Sequence, residues 1–446
     1  SSTNLQLLTK VVEPSVQQLA KRATFGATPT LASEITQLGV NTWIEQQLAP
    51  EMIDDNELES MLSELPIESI NDLRKRELMY QIYSKRQLQQ VMAWFWENHF
   101  STDFNRHRKV AYEERENSAF RTHALGKFSD LLEISAKSPA MLKYLDNVSS
   151  RAGRINENYA REVMELHTLG VNGGYTDDDI ISLARILTGW HIAEGEFTFS
   201  ANRHDNDNKL FLNQQVVAGG VEEGEATLTR LSQHPSTAMF ICGKLIQFWI
   251  GEDSYPTLQK SCAAGFVSSE GDIPTLLRII FHSNAFNIED NIGSKIKTPL
   301  QVYTSAIRAT QAEPDFNEAL RILKAMGMQL FTYPAPDGFS DKGADWINVD
   351  AMVQRTKFAL RFALKQDGGE VDLLAHLEMQ GYTTATAIVD YLFNLLLDTQ
   401  YTALQRQQAL AILNEEDAFD MQNNDAPIKL KRLLAALLAY PGFQYQ

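Results

Sequence analysis

The sequence predicts a mainly α protein: a large multi-helix array with one small β-hairpin insertion near residues 195–218. Three observations carry that prediction. Apolar residues recur at the helical period of 3.6 along most of the chain. Cap signals bracket those stretches, with Ser or Thr ahead, Pro at first helical positions and Gly behind. Only residues 195–218 change character, with Phe197-Thr198-Phe199 and Leu210-Phe211-Leu212 as short strands around an oxygen-rich tip. A single extended helical unit over 1–446 is therefore expected, with a C-terminal helical cluster over 370–446.

Taken in order, Thr28-Pro29 opens a helix that Gly39 closes, and Thr42-Trp43-Ile44-Glu45 reads as the capping box of the next. Asn71 to Asn98 reads as one long helical run. It finishes on Trp94-Phe95-Trp96-Glu97-Asn98-His99-Phe100, and so many rings predict that Asn98 and His99 are at least partly buried and partnered. His107, Tyr112, Glu113, Glu116, Arg121 and His123 follow, then Ser138-Pro139 starts another helix. Further on, Thr298-Pro299 opens a helix that includes Arg308. Asp367-Gly368-Gly369 breaks the chain before its C-terminal cluster.

The stretch from Asn156 to Trp190 is the densest in functional side chains. It reads as two helices joined by a glycine turn. Gly170 supplies the left-handed cap, and Thr176 caps the second helix, whose first turn carries Asp177, Asp178 and Asp179. On a helical projection Glu162 and Glu165 are neighbours, flanked by Arg161, while His167 projects from nearly the opposite flank. That excludes a one-helix metal tripod of the His-Glu-x-x-His kind. A metal here needs ligands from other helices, as in helical-bundle carboxylate sites. The expected site therefore has Glu162, Glu165 and His99 as ligands of a divalent metal. His123 and Arg161 join it as further catalytic residues, with Asp146 nearby. The plainer reading is that Glu157–Arg161 and Arg161–Glu165 are i,i+4 pairs on a solvated face and His167 is a core histidine.

Two loops invite comparison with known sites. Asp205-Asn206-Asp207-Asn208-Lys209 resembles a calcium loop superficially, but Lys209 stands at the fifth position and no glycine follows at the sixth, so an exposed polar turn is expected. The loop from Tyr333 to Trp346 combines proline, glycine, aromatic and acidic residues in a way typical of loops that line a site.

Composition narrows the function classes. Fifty-seven acids against 40 bases give a net charge of −17, which repels nucleic acid and anionic membranes. No apolar run approaches the roughly 20 residues of a membrane span. The chain starts Ser-Ser-Thr-Asn, as expected of one whose leader has been removed or whose start has been trimmed. Cys242 and Cys262 are compatible with one disulfide, and equally with two buried thiols. No phosphate-cradling loop, nucleophile elbow or dinucleotide fingerprint is present.

Several motifs are familiar together: Arg22-Ala23-Thr24-Phe25-Gly26, Trp96-Glu97-Asn98-His99-Phe100, His123-Ala124-Leu125-Gly126, Asn156-Glu157-Asn158-Tyr159-Ala160-Arg161-Glu162, Gly173-Gly174-Tyr175-Thr176, Leu187-Thr188-Gly189-Trp190 and His204-Asp205. With them the chain resembles the large bacterial family catalogued as domain of unknown function 1800, from about Leu19 to Phe443. Phe339 stands where that family's loop usually has tryptophan, and Gln301 where it has glutamate. The resemblance implies one helical unit and no assigned activity. It also implies export to a periplasmic or extracellular setting, and a protein partner encoded by a neighbouring gene and similar to sulfatases or alkaline phosphatases.

Two functions are thus expected. One is a metal-dependent enzyme with a buried carboxylate and histidine centre. The alternative is a non-catalytic scaffold that binds such a partner protein or a glycan.

Overall fold

A computed structural model describes residues 12–364, 372–398 and 400–446. Among them it has 24 α-helices and two two-stranded antiparallel hairpins, so the mainly α expectation holds. The break expected at Asp367-Gly368-Gly369 lies outside the described residues. One large apolar core runs through the molecule, from Leu19 in α1 (Val16–Arg22) to Phe443 near the C-terminus. No helix of the described residues is long and apolar enough to cross a membrane.

The long run expected from Asn71 to Asn98 is two helices, α2 (Ile70–Tyr83) and α3 (Gln87–His99). Asp55 sets the break. Its carboxylate accepts the Ser84 hydroxyl at 2.5 Å and the Lys85 amide at 3.0 Å, and a chain held in that bond pattern cannot continue the helix. Nearer the start, the helix expected after Thr28-Pro29 begins at Leu31. Thr42 lies inside the helix Val40–Leu48 rather than at its cap.

Four of the helices that follow carry the residues of interest. They are α4 (Val110–His123), α5 (Asn158–Glu162), α6 (Asp177–Ile186) and, after the strands, α7 (Pro235–Trp249). Helix α5 runs straight into a π turn at Val163–His167, the wide i→i+5 geometry found mostly as single turns inside helices. Gly170 follows at φ +78°, and Thr176 and Asp179 form a reciprocal capping box on α6, as their order in the sequence requires.

The β insertion is present as two hairpins rather than one. Strands β1 (Trp190–Ala193) and β2 (Glu196–Phe199) pair with each other, as do β3 (Lys209–Phe211) and β4 (Gln214–Val216). The reason is turn chemistry. Glu194-Gly195 and Leu212-Asn213 each put two successive residues at positive φ, the two-residue turn that closes a tight hairpin locally. The runs Phe197-Thr198-Phe199 and Leu210-Phe211-Leu212, expected as the two strands of one hairpin, fall in separate hairpins.

Helices α7 and α8 (Pro256–Ser269) pack side by side and are joined by a Cys242–Cys262 disulfide, with the Cα atoms 5.7 Å apart. That resolves the two thiol readings in favour of the bond. Helix α9 (Pro299–Thr310) follows, opened by the capping box of Thr298 and Gln301. It crosses close to the loop after α1.

Candidate metal centre and the loop beside it

Glu162, Glu165 and His99 do not meet in a ligand set: among the described residues the single convergent group of metal-ligating side chains is Glu97, Glu113 and Glu116. Glu162 and Glu165 are half-buried, whereas His167 at the end of the π turn is fully buried. Arg161 runs between Glu157 at 3.7 Å, Glu165 at 3.6 Å and Asp177 at 3.8 Å, so the i,i+4 ladder read from the sequence is present. Burial, then the charges of Glu165 and Asp337, push the Glu162 carboxyl up from its ordinary value.

His99 is buried on the other side, among Phe95, Trp96 and Phe100. Its Nε2–H donates to the His167 carbonyl at 3.1 Å. Burial, then the charge of Lys244, hold it well below the usual histidine range. His167 is fully buried with neither ring nitrogen partnered, and burial pulls its pKa down to about 3. Both imidazoles are thus neutral at pH 7. His123 sits half-buried at the C-terminal end of α4, outside the ligand group.

The centre that does form is built by α3, α4 and the short segment between them. On α4, Glu113 and Glu116 are one turn apart and point the same way. Glu97 comes across from α3, and the three residues are 0 %, 2 % and 8 % exposed for Glu113, Glu116 and Glu97. Ligand oxygens of all three lie within 4.8 Å of one another. Two oxygens on one cation are separated by at most about 4–5 Å, twice the usual bond length, so the group has the dimensions of a metal site.

Its surroundings organise the carboxylates without neutralising them. The Thr102 hydroxyl lies 3.2 Å from Glu113 and 3.3 Å from Glu116. The Lys109 amide donates to Nδ1 of His107, which leaves Nε2 as the proton-bearing nitrogen, donating to Glu113 at 2.7 Å. Asn117 spans the cluster, giving one amide group to Glu97 at 3.1 Å and to Glu77 at 3.2 Å. Arg121 pairs with Glu77, the fourth buried carboxylate.

That pairing consumes the guanidinium. Among the described residues no lysine or arginine forms an ion pair with Glu97, Glu113 or Glu116, and ionised carboxylates so placed are costly. Burial, then repulsion from Glu113, accordingly push both Glu97 and Glu116 well above the ordinary carboxylate range. Two polar atoms also stand ready without a protein partner: Oε2 of Glu116 and the hydroxyl of Tyr159 on α5. Burial, then the Glu116 charge, push that hydroxyl up, so α5 reaches this centre through Tyr159 rather than through its glutamates. The donor set is all oxygen, which suits a hard divalent cation.

The loop from Tyr333 to Trp346 does lie against these elements. Asn98 grips it twice, donating to the Phe339 carbonyl at 2.9 Å and accepting the Phe339 amide at 2.7 Å. Tyr144 donates to the Pro334 carbonyl at 3.0 Å. Gly338 has φ +74°, and a Cβ there would fall 2.3 Å from the Asn98 carbonyl, so only glycine allows this approach. Asp337 in that loop is among the charges that raise Glu162 and Tyr144.

The oxygen-rich tip of the β insertion is structural. Arg185 pairs with Asp205 at 2.7 Å, while Lys209 and His204 reach Glu223 at 2.6 Å and 2.9 Å, all three of those side chains buried.

Compared with known proteins, the chain matches over residues 18–445 the sequence model of a family described as a protein of unknown function, DUF1800. No curated protein and no solved structure matches it.

Proposed function

The chain belongs to the DUF1800 family, and from its geometry we propose that it is a metal-dependent enzyme of an extracytoplasmic compartment. Glu97, Glu113 and Glu116 hold a hard divalent cation. The observation that carries this reading is the convergence of three buried carboxylates with no cation among them. The chemistry such a cation supplies is polarisation of a bound water, that is, metal-assisted hydrolysis. His107, fixed on Glu113, orients that ligand, and Tyr159 and Glu116 offer the remaining polar atoms to the same space. Glu162 is the more open carboxyl, and burial and the charge of Glu165 shift it up, the direction a general acid needs. The Cys242–Cys262 bond supports the compartment, since disulfides persist where the environment is oxidising.

Manganese titration followed by electron paramagnetic resonance tests the reading. Stoichiometric binding is expected in the wild type, weakened more than about tenfold in Glu113→Gln and Glu116→Gln. Equal binding in both variants removes the site.

Enclosure favours a second reading. Ligands no more than 8 % exposed suit a cation that fastens α3 to α4 in a non-catalytic scaffold. Its partner would be a sulfatase- or phosphatase-like protein or a glycan. A metal-loaded protein that is stabilised by its cation, yet inert towards phosphate and sulfate esters, would select this reading.

A further inference from the structure

A cavity of about 480 Å³, lined by none of the three carboxylates of the centre, lies between the helices Leu31–Leu38 and Val40–Leu48, the α2–α3 joint and the C-terminal end of α9. Leu31, Trp43, Ile53, Ile82 and Ile307 give it apolar walls. Its size and lining are those of a small-molecule site.

At its wall is Arg308, only 7 % exposed. The guanidinium is held by two backbone carbonyls, Nε donating to Gly26 at 2.6 Å and Nη1 to Ile82 at 2.6 Å. Gly26 ends the Arg22-Ala23-Thr24-Phe25-Gly26 motif. A Cβ on it would fall 2.4 Å from the Ser305 backbone, so its carbonyl reaches α9 only because it is glycine. The amide of Phe25 in the same motif binds Gln87 at 2.9 Å, another lining residue. The motif thus aims a guanidinium.

What Arg308 lacks is a carboxylate. No acidic side chain pairs with it among the described residues, and its Nη2 has no protein acceptor there. Lys85 adds a second cation to the lining, against the one carboxylate of Glu34, whose charge acts on Arg308 without a hydrogen bond to it and whose Oε1 accepts the Thr30 hydroxyl at 2.5 Å. In a chain of net charge −17, a cavity whose cations outnumber its acids is a local inversion of sign.

We infer that this cavity binds a small organic acid, its carboxylate on Arg308 and its apolar body between Trp43 and the aliphatic wall. One planar guanidinium recognises one carboxylate, and Leu31, Trp43, Ile53, Ile82 and Ile307 offer the rest of such a molecule an apolar wall. The inference is independent of the metal centre.

The test is calorimetric titration of the full chain with 3-phenylpropionate and with its neutral analogue 3-phenylpropanamide. The acid should bind about tenfold or more tightly than the amide, and raised salt should narrow the gap. Arg308→Gln should abolish the preference. Because that change frees two backbone carbonyls and can unfold the chain, Gln46→Glu is the second variant. Gln46 is an exposed lining residue, and the added charge should weaken the acid by about threefold or more while sparing the amide. Equal binding of acid and amide, no binding of either at millimolar concentration, or an unchanged preference in Gln46→Glu would overturn the inference.

Discussion

At the scale of single residues, the molecule is governed by groups whose charge is unwelcome where they sit. Glu97 and Glu116 have folded-state pKa values above their unfolded values, so in chelator the native state keeps protons that the unfolded chain releases. Their contribution to stability is therefore full below about pH 4.5 and declines as pH rises towards their folded pKa. A divalent cation reverses that trend by replacing the protons. Urea denaturation at pH 5 and pH 8, with chelator and with manganese, should show the loss only in chelator. His167 works in the opposite sense. Held near 3 against an unfolded value of about 6.5, it contributes stability at neutral pH that is lost as pH falls from about 6.5 towards 3. His99 adds to the same acid limb.

Spacing made the relation of residues to one another legible, but not their relation to solvent. The Arg161 ladder is present as drawn, while the turn from Val163 to His167 is π rather than the α period on which His167 was projected against Glu162 and Glu165. The same spacing was available at Glu113-x-x-Glu116, one turn of α4, and Glu97 stood within an aromatic motif that predicted burial. Those were the signals for the centre. They were masked because the buried face of α4 is Glu113, Glu116, Asn117, Phe120 and Arg121, so polarity there does not mark the outside.

At the scale of elements, loops and turns decide what the helices present. The Tyr333–Trp346 loop is fastened by the side chains of Asn98 and Tyr144 and by one glycine. Gly338→Ala should shift the loop and cost about 1–3 kcal/mol, read by urea denaturation. An unchanged midpoint would mean that the loop does not depend on that close approach. The paired hairpins depend on Glu223, which answers Lys209 and His204 in a dry setting. Removing its charge with Glu223→Gln should cost about 3–5 kcal/mol, whereas an exposed pair such as Arg115–Glu196 should cost almost nothing. Double hairpins were not readable as such. Both strand segments were visible, but Leu212-Asn213 is not a standard turn signal, and only the backbone shows its two positive φ values.

At the scale of the whole molecule, one core and one covalent bond tie the array together. The bond closes a loop between cysteines 20 residues apart, so replacing both with serine should lower stability by about 3 kcal/mol in an oxidising buffer and nothing under reducing conditions. Helical character followed directly from periodicity and caps. Which side chains meet did not, because Glu97 and Glu113 come together only through the direct packing of α3 on α4, which periodicity does not reveal.

The account rests on a cation between those two helices. Elemental analysis of the untagged full-length chain, dialysed against metal-free buffer after purification, tests it most directly. A stoichiometric hard divalent metal in the wild type, lost in Glu116→Gln with the fold retained, is the expected result. Metal-free wild-type protein whose stability does not respond to added manganese would contradict it.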